Sequence, residues 1–283
     1  GTHQKSMHEF LAKMREQGLT QALQQRDAPF GDYRVVEGLG AVLLWLRWRQ
    51  DFPAGQAVYL SVFHSVMAFC NAGFSLFPDN LIRYRADVTV NLVITALIIV
   101  GGLGFLVNME LRDQALLRWR KRRPPRLSLH TRLVLVVTAA LLVVGMAGFL
   151  ITEWRNLLQG LPLPEKLLAS WFQSVTPRTA GFNTVDYGQA ATATLFFTIF
   201  LMFIGASPGS TGGGVKTTSV GLLFALLHAR YRGQGRAMMF QRTIPHAVMD
   251  RALSVILLSW ILASSALLLL TVAELGFAPH AGA

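Results

Sequence analysis

Two stretches of this sequence nearly repeat each other, and each is cut to a length that reaches only part-way across an apolar layer. Phe63-His64-Ser65-Val66 leads to Asn71-Ala72-Gly73-Phe74, and Phe172-Gln173-Ser174-Val175 leads to Thr179-Ala180-Gly181-Phe182. The Phe-x-Ser-Val tetrads lie 109 residues apart and the Ala-Gly-Phe triplets 108. Each loop follows a short apolar run and precedes a long one. A repeat distance above the solenoid range marks a duplicated module rather than a stacked array.

The long runs set the medium. Leu133 to Thr152 holds twenty residues without a charge, enough to cross a hydrocarbon core of about 30 Å. Val88 to Val107 and Ala252 to Ala273 are also uncharged, and Ala190 to Ala206 is a shorter run that dissolves into Ser207-Pro208-Gly209-Ser210-Thr211-Gly212-Gly213-Gly214. The runs Ala57–Phe69 and Lys166–Val175 are too short to span. Either one alone would suit an interfacial helix equally well, but their duplication favours re-entry. Irregular backbone at membrane depth survives only where protein or a watery cavity satisfies its polar groups. The expectation is an all-α membrane protein of helix–re-entrant helix–helix repeats.

Charge gives the orientation. Only 14% of residues are charged and 52% are hydrophobic, with a net charge of +11, whereas soluble domains carry about 25% charged residues. Between Leu111 and Arg132 stand eight Lys or Arg against one acid, Asp113, and Arg230 to Arg251 is again basic. The loops beside the glycine turns are nearly balanced, with Glu153, Arg155, Glu165 and Lys166 around the second. Basic residues in the gaps between apolar runs point those gaps to the cytoplasm and the glycine turns outward. They do not form the soluble basic face of a nucleic-acid binder, so no nucleic acid is expected. Arg118–Arg126 suits lipid headgroups or a protein partner equally.

The glycine turns suit one chemistry in particular. A dehydrated monovalent cation needs several oxygen ligands at once and a way to leave; rings of backbone carbonyls supply both. Gly73 and Gly181 are the expected pivots, because glycine alone freely takes the conformations that aim successive carbonyls at an axis. The carbonyls of Asn71-Ala72 and Thr179-Ala180 are the expected ligands, faced by the partly negative C-terminal ends of the short helices. No nucleophile–base–acid constellation and no clustered metal-ligand spacing appears, so neither an enzyme nor a cofactor is expected. Gly209 to Thr217 imitates a phosphate-binding loop, but Val215 separates Lys216 from the last glycine, and no short strand precedes it.

These residues carry a resemblance. Residues 63–75, 172–186 and Gly-Ala-Ser-Pro-Gly-Ser-Thr-Gly-Gly-Gly-Val-Lys-Thr-Thr at 205–218 closely resemble the Trk/Ktr/HKT potassium transporters, over about Val35 to Ala273. The resemblance implies a potassium-channel-like fold, four helix–pore helix–helix repeats around one pathway, with two of the four filter repeats present here. It implies potassium ion transport through the inner membrane by a multi-pass uptake subunit, with or without sodium or proton coupling. It implies a homodimer in the complete protein and cytoplasmic nucleotide-sensing regulatory subunits. It also makes 207–216 a gating loop beneath the filter, with Gly212, Gly213, Gly214 and Lys216 as gate residues. Arg178 is expected to turn away from the cation path and brace the filter. Asp186 is either its partner or a solvated vestibule carboxylate. Lys216 either snorkels to the interface or places its charge under the pore.

On this plan, residues 1–32 are an amphipathic cytoplasmic connector. Residues 33–110 form a repeat with a short first helix, pore helix 57–69, filter 70–75 and helix 88–107; 111–132 is a basic cytoplasmic loop. Residues 133–218 form the next repeat, with helix 133–152, pore helix 166–176, filter 178–183, helix 190–206 and the gating loop. Then 219–251 is cytoplasmic, and 252–273 opens a further, incomplete repeat. His64 is expected to be packed and hydrogen-bonded, Cys70 a small buried residue, and Trp45, Trp48, Trp154 and Trp171 interfacial aromatics. With two filter loops instead of four, the chain reads as the middle of a transporter. The rival readings are a non-transporting fragment or assembly element, a sodium-selective relative, and a pore completed by oligomerisation.

Overall fold

A computed structural model describes residues 30–233, 238–240 and 242–277. The connector expected over 1–32 lies outside them, except for its last three residues, which start a helix. Among the described residues are nine α-helices: α1 Phe30–Trp48, α2 Ala54–Phe69, α3 Val88–Leu103, α4 Phe105–Trp119, α5 Leu129–Glu153, α6 Leu163–Val175, α7 Thr192–Phe203, α8 Thr217–Tyr231 and α9 His246–Phe277. A two-residue hairpin, β1 Met238–Met239 with β2 Arg242–Thr243, and a parallel bridge between Ile204 and Val215 are the β structure. By length and composition α5 and α9 can each cross a membrane, with mean hydropathies of 2.7 and 2.4, and the bent pair α3–α4 passes as one broken span.

Helix followed by short helix, glycine turn and helix occurs twice, as α1–α2–α3 and α5–α6–α7. The repeated tetrad has a packing reason. A Cβ on Gly40 of α1 would stand 2.7 Å from Ser65 Oγ, and one on Gly145 of α5 would stand 3.2 Å from Ser174 Cα. In lipid, helices gain little by hiding apolar surface from one another, so close approach through small residues carries their association. The serine of Phe-x-Ser-Val is thus the seat of each repeat's first helix. Helices α3 and α6 join the two halves, and Trp171 Nε1 donates to Thr95 Oγ1 at 3.0 Å across that seam. One core spans both halves, from Leu44, Trp48 and Phe77 to Phe172 and Phe182.

Several boundaries differ from the sequence expectation. Helices α2 and α6 each start three residues early, directly after Pro53 and Pro162. The helix expected over 88–107 breaks at Gly104, where α3 and α4 meet at 108°. Gly104 takes φ +85°, and Phe105 N donates to Gly209 O at 3.1 Å, outside its own helix. The expected basic loop 111–132 is therefore helical as far as Trp119. The run 190–206 yields only the twelve residues of α7, about 18 Å long, because the chain turns at Phe203, whose carbonyl accepts from Val215 N at 3.1 Å. The segment expected as cytoplasmic, 219–251, begins inside α8, which packs on α5 with Gly221 against Leu133 and Val137. Helix α9 extends past 252–273 at both ends.

Two carboxylates organise the ends of α5. Glu153, counted among the outer loop charges, is fully buried. It accepts from Ala191 N at 2.9 Å, Asn156 Nδ2 at 2.8 Å and the Thr194 hydroxyl, which ties α5 to the start of α7 and satisfies the buried charge. At the other end Glu110 of α4 accepts from Ser128 N at 2.6 Å, Ser128 Oγ at 2.7 Å and the Thr131 hydroxyl. Glu110→Ala should cost about 1–2 kcal/mol, as loss of a helix-start acceptor does. Thermal unfolding in detergent at neutral pH should separate wild type from variant, and equal midpoints would dismiss the clamp.

Candidate functional site

The two glycine turns touch. A Cβ on Gly73 would overlap Ala180 O and lie 2.7 Å from Gly181 Cα; one on Gly181 would stand 3.1 Å from Gly73 Cα. Both turns share one backbone pattern. Asn71 has φ +51° and Gly73 φ +72°; Thr179 has φ +73° and Gly181 φ +80°, while Ala72 and Ala180 between them stay out of that region. For Thr179, a β-branched residue, this is a genuine outlier. Strain of about 1–3 kcal/mol at such a residue persists only where its surroundings impose it.

The hydrogen bonding of the turns is one-sided. Their amides reach back to the short helices: Ala72 N to Met67 O at 3.0 Å, Ala180 N to Thr176 O at 3.0 Å. Among the described residues nothing donates to the carbonyls of Asn71, Ala72, Gly73, Thr179, Ala180 or Gly181. Asn71 and Ala180 are buried, Gly73 and Thr179 half-buried, and Ala72 and Gly181 exposed, so these six acceptors are left to whatever occupies the space beside the two abutting turns. Helices α2 and α6 end at these turns and add the partial negative charge of their C-termini. Asn71 Oδ1 and Thr179 Oγ1 are also buried without a partner. The strands leaving the turns are tied together, Leu81 N to Asn183 O at 3.1 Å and Asn183 N to Asn80 Oδ1 at 3.3 Å. A cavity of about 660 Å³ borders them, lined by Ala72, by Thr176 to Asn183 without Arg178, and by Leu195, Thr198, Ile199 and Met202 of α7.

The segment 204–216 folds back on itself beneath the turns. Gly205 N donates to Val215 O and Ala206 N to Gly213 O, both at 3.0 Å. Thr211 fastens it to the first turn, its Oγ1 donating to Phe69 O at 3.0 Å and accepting from Asn71 Nδ2 at 3.2 Å. A Cβ on Gly212 would lie 2.5 Å from Thr179 Oγ1 and 3.3 Å from Asn71 Nδ2, so Gly212 sits against the base of both turns. Gly213 and Gly214 run back alongside Gly205. Lys216 Nζ donates to Gly212 O at 2.9 Å, which pins the ammonium across the loop rather than letting it snorkel away.

Other expected residues fall differently. Arg178 is 7% exposed, and its Nε has no partner among the described residues. Asp186 does not pair with it; the carboxylate accepts from Gly188 N and Gln189 Nε2, both at 2.9 Å, and caps the turn Tyr187–Gln189. Cys70, the residue that ends α2, is exposed, not buried. Trp48 is fully buried against His64 and Phe77 rather than interfacial; Trp154 is half-exposed, with Lys166 Nζ 4.0 Å over its ring. His64 is fully buried and hydrogen-bonded. The sequence reading passed over Gln173, Thr184, Tyr187 and Thr211, all engaged at the site.

The sequence model of the TrkH family, described as a cation transport protein, matches residues 33–276. The chain is 41% identical over 245 residues to the potassium/sodium uptake protein NtpJ of Enterococcus hirae, covering 85% of this chain and 52% of that protein. It is 39% identical over 241 residues to the Ktr system potassium uptake protein B of Bacillus subtilis, covering 84% of this chain and 53% of the other. The crystal structure of the potassium transporter TrkH from Vibrio parahaemolyticus superposes with a TM-score of 0.64 at 20% identity, over 90% of this chain and 51% of that one. The chain spans about half the length of these relatives.

Proposed function

The chain belongs to the TrkH family of cation transport proteins, and from that premise we propose that it supplies half of a potassium pathway whose ligands are peptide oxygens. It is a membrane protein, and its named relatives are uptake proteins rather than enzymes. The observation that carries the reading is the set of six carbonyls, at Asn71 to Gly73 and Thr179 to Gly181, left without donors among the described residues where two turns meet. Alternating left-handed positions turn successive peptide planes the same way, whereas an extended strand alternates them. Carbonyls so aimed replace water around a cation without a fixed charge that would trap it.

In this reading α2 and α6 are re-entrant pore helices, 70–75 and 178–183 are filter loops open to the outside, and 207–216 is an intramembrane gate. Gly212 against both turns and Thr211 tied to the first support the gate assignment. The remaining ligands come from further repeats. The buried Nε of Arg178, with no partner among the described residues, and the apolar cavity beside α7 support additional protein there. The inner membrane, a homodimer and nucleotide-sensing cytoplasmic subunits belong to the same proposal.

A second reading, a relative that passes sodium as readily, draws on the potassium/sodium uptake protein among the relatives. One experiment addresses both. The whole coding frame is expressed in cells lacking potassium uptake, and growth at low potassium is scored beside rubidium and sodium influx. Rescue with rubidium preferred over sodium is the expected result. Insertion without either influx would end the transport reading, and equal influx of both ions would favour the second.

A further inference from the structure

Behind each glycine turn the short helix sends one buried side chain to one hydroxyl on the outgoing strand. In the first repeat it is His64. Its Nδ1 lies 2.8 Å from Leu60 O, which can only accept, so Nδ1 carries the proton. Nε2 is then the acceptor, 3.1 Å from Ser75 Oγ and 3.4 Å from Leu76 N. Ser75 Oγ in turn accepts from Phe77 N at 3.1 Å. In the second repeat it is Gln173. Its Nε2 donates to Thr184 Oγ1 at 3.2 Å, and its Oε1 accepts from Tyr187 Oη at 2.7 Å. His64, Gln173 and Thr184 are all at most 1% exposed.

The two links occupy matching places. His64 and Gln173 are the variable residue of the Phe-x-Ser-Val tetrad in its two copies. Each reaches a hydroxyl eleven residues on, although the glycine triplets between are out of step by one. Helix-to-hydroxyl spacing has been kept while the turn itself shifted, and ring, amide, serine and threonine all keep a hydrogen bond. Packing alone would accept any side chain of suitable volume at these buried positions.

We infer that His64 and Gln173 are positioning residues, paired braces that fix how far each glycine turn stands from the ion path and so set discrimination between potassium and sodium. A backbone ring tells two alkali ions apart only if its radius resists collapse onto the smaller one. Ser75 and Thr184 stand two and three residues beyond the pivots, where a tether controls the strand without touching the ion. His64 also faces Phe182, with 6.2 Å between ring centroids, so the first brace abuts the second turn as well. The inference rests on reading the turns as a filter.

The test uses the whole coding frame and measures the ratio of rubidium to sodium influx, with the thermal unfolding midpoint of each purified variant alongside. His64→Leu and Ser75→Ala should each lower the ratio roughly tenfold, and the double variant should fall no further, since both remove one link. His64→Gln, which transplants the second copy's brace, should recover most of the ratio. Gln173→Leu should act likewise at the second turn. If His64→Leu lowers only the midpoint, or Ser75→Ala leaves the ratio intact, the brace is overturned. Gly73→Ser is the reference: a ratio lost there but kept in His64→Leu condemns the brace alone, whereas a ratio kept in both condemns the filter.

Discussion

Serine at position 73 is expected to reduce potassium-over-sodium discrimination at least tenfold, and serine at position 181 to reduce it less. The new Cβ at 73 would drive into Ala180 O and the Gly181 backbone; at 181 it would meet only Gly73 Cα, at 3.1 Å. Both positions hold φ above +70°, which costs a residue with a Cβ about 1–2 kcal/mol, roughly the energy of a tenfold change in preference. At 181 that is nearly the whole penalty. At 73 a steric conflict with backbone is added, and backbone cannot swing aside as a side chain can. The ratio of rubidium to sodium influx, compared between the variants in intact cells, reads both size and order. Unchanged ratios in both would remove the turns from the ion path.

The other large effect belongs to Thr211. Valine there keeps the shape but removes the hydroxyl that joins Phe69 O to Asn71 Nδ2. Two hydrogen bonds at about 1 kcal/mol each amount to a shift of roughly thirtyfold between two states of the loop. If the loop obstructs the pathway when fastened, Thr211→Val should raise unregulated rubidium influx on the order of tenfold. Thr211→Ser, which keeps the hydroxyl, should behave as wild type. The glycine turns keep their own geometry, so the ion ratio should move far less than the flux. Influx that falls or stays level in Thr211→Val would show that the fastened loop does not obstruct.

The duplicated module was legible because its chemistry is local: an apolar run too short to span, then a turn. Where tertiary bonds decide, the sequence misled. In the uncharged run Val88 to Val107 the cluster Gly101-Gly102-Leu103-Gly104 permits an elbow but does not fix its place or angle, because the bond that redirects Phe105 goes to Gly209, more than a hundred residues away. The same holds for α7, which ends at Phe203 because Val215 claims its carbonyl. For Asp186 the sequence left open a partner of Arg178 or a solvated carboxylate; the side chain is exposed and caps its own turn, as an aspartate two residues before a glycine amide can. Thr211 was hidden in a glycine-rich string that suggests freedom, while it bonds to a carbonyl 142 residues away. For the braces a signal was on view. The variable residue of the repeated tetrad is a hydrogen-bonding side chain in both copies.

The right-angled joint at Gly104 gives α4 the mechanics of a crank. Its fifteen residues make an arm about 22 Å long, whose inner end is held to Gly209 by Phe105 N. The outer part bears Arg112 and Arg118, and midway Glu110 fastens it to α5. Any swing of that arm would turn about the Glu110 clasp and bear on Gly209, from which Thr211 is the nearest bonded link to the first glycine turn.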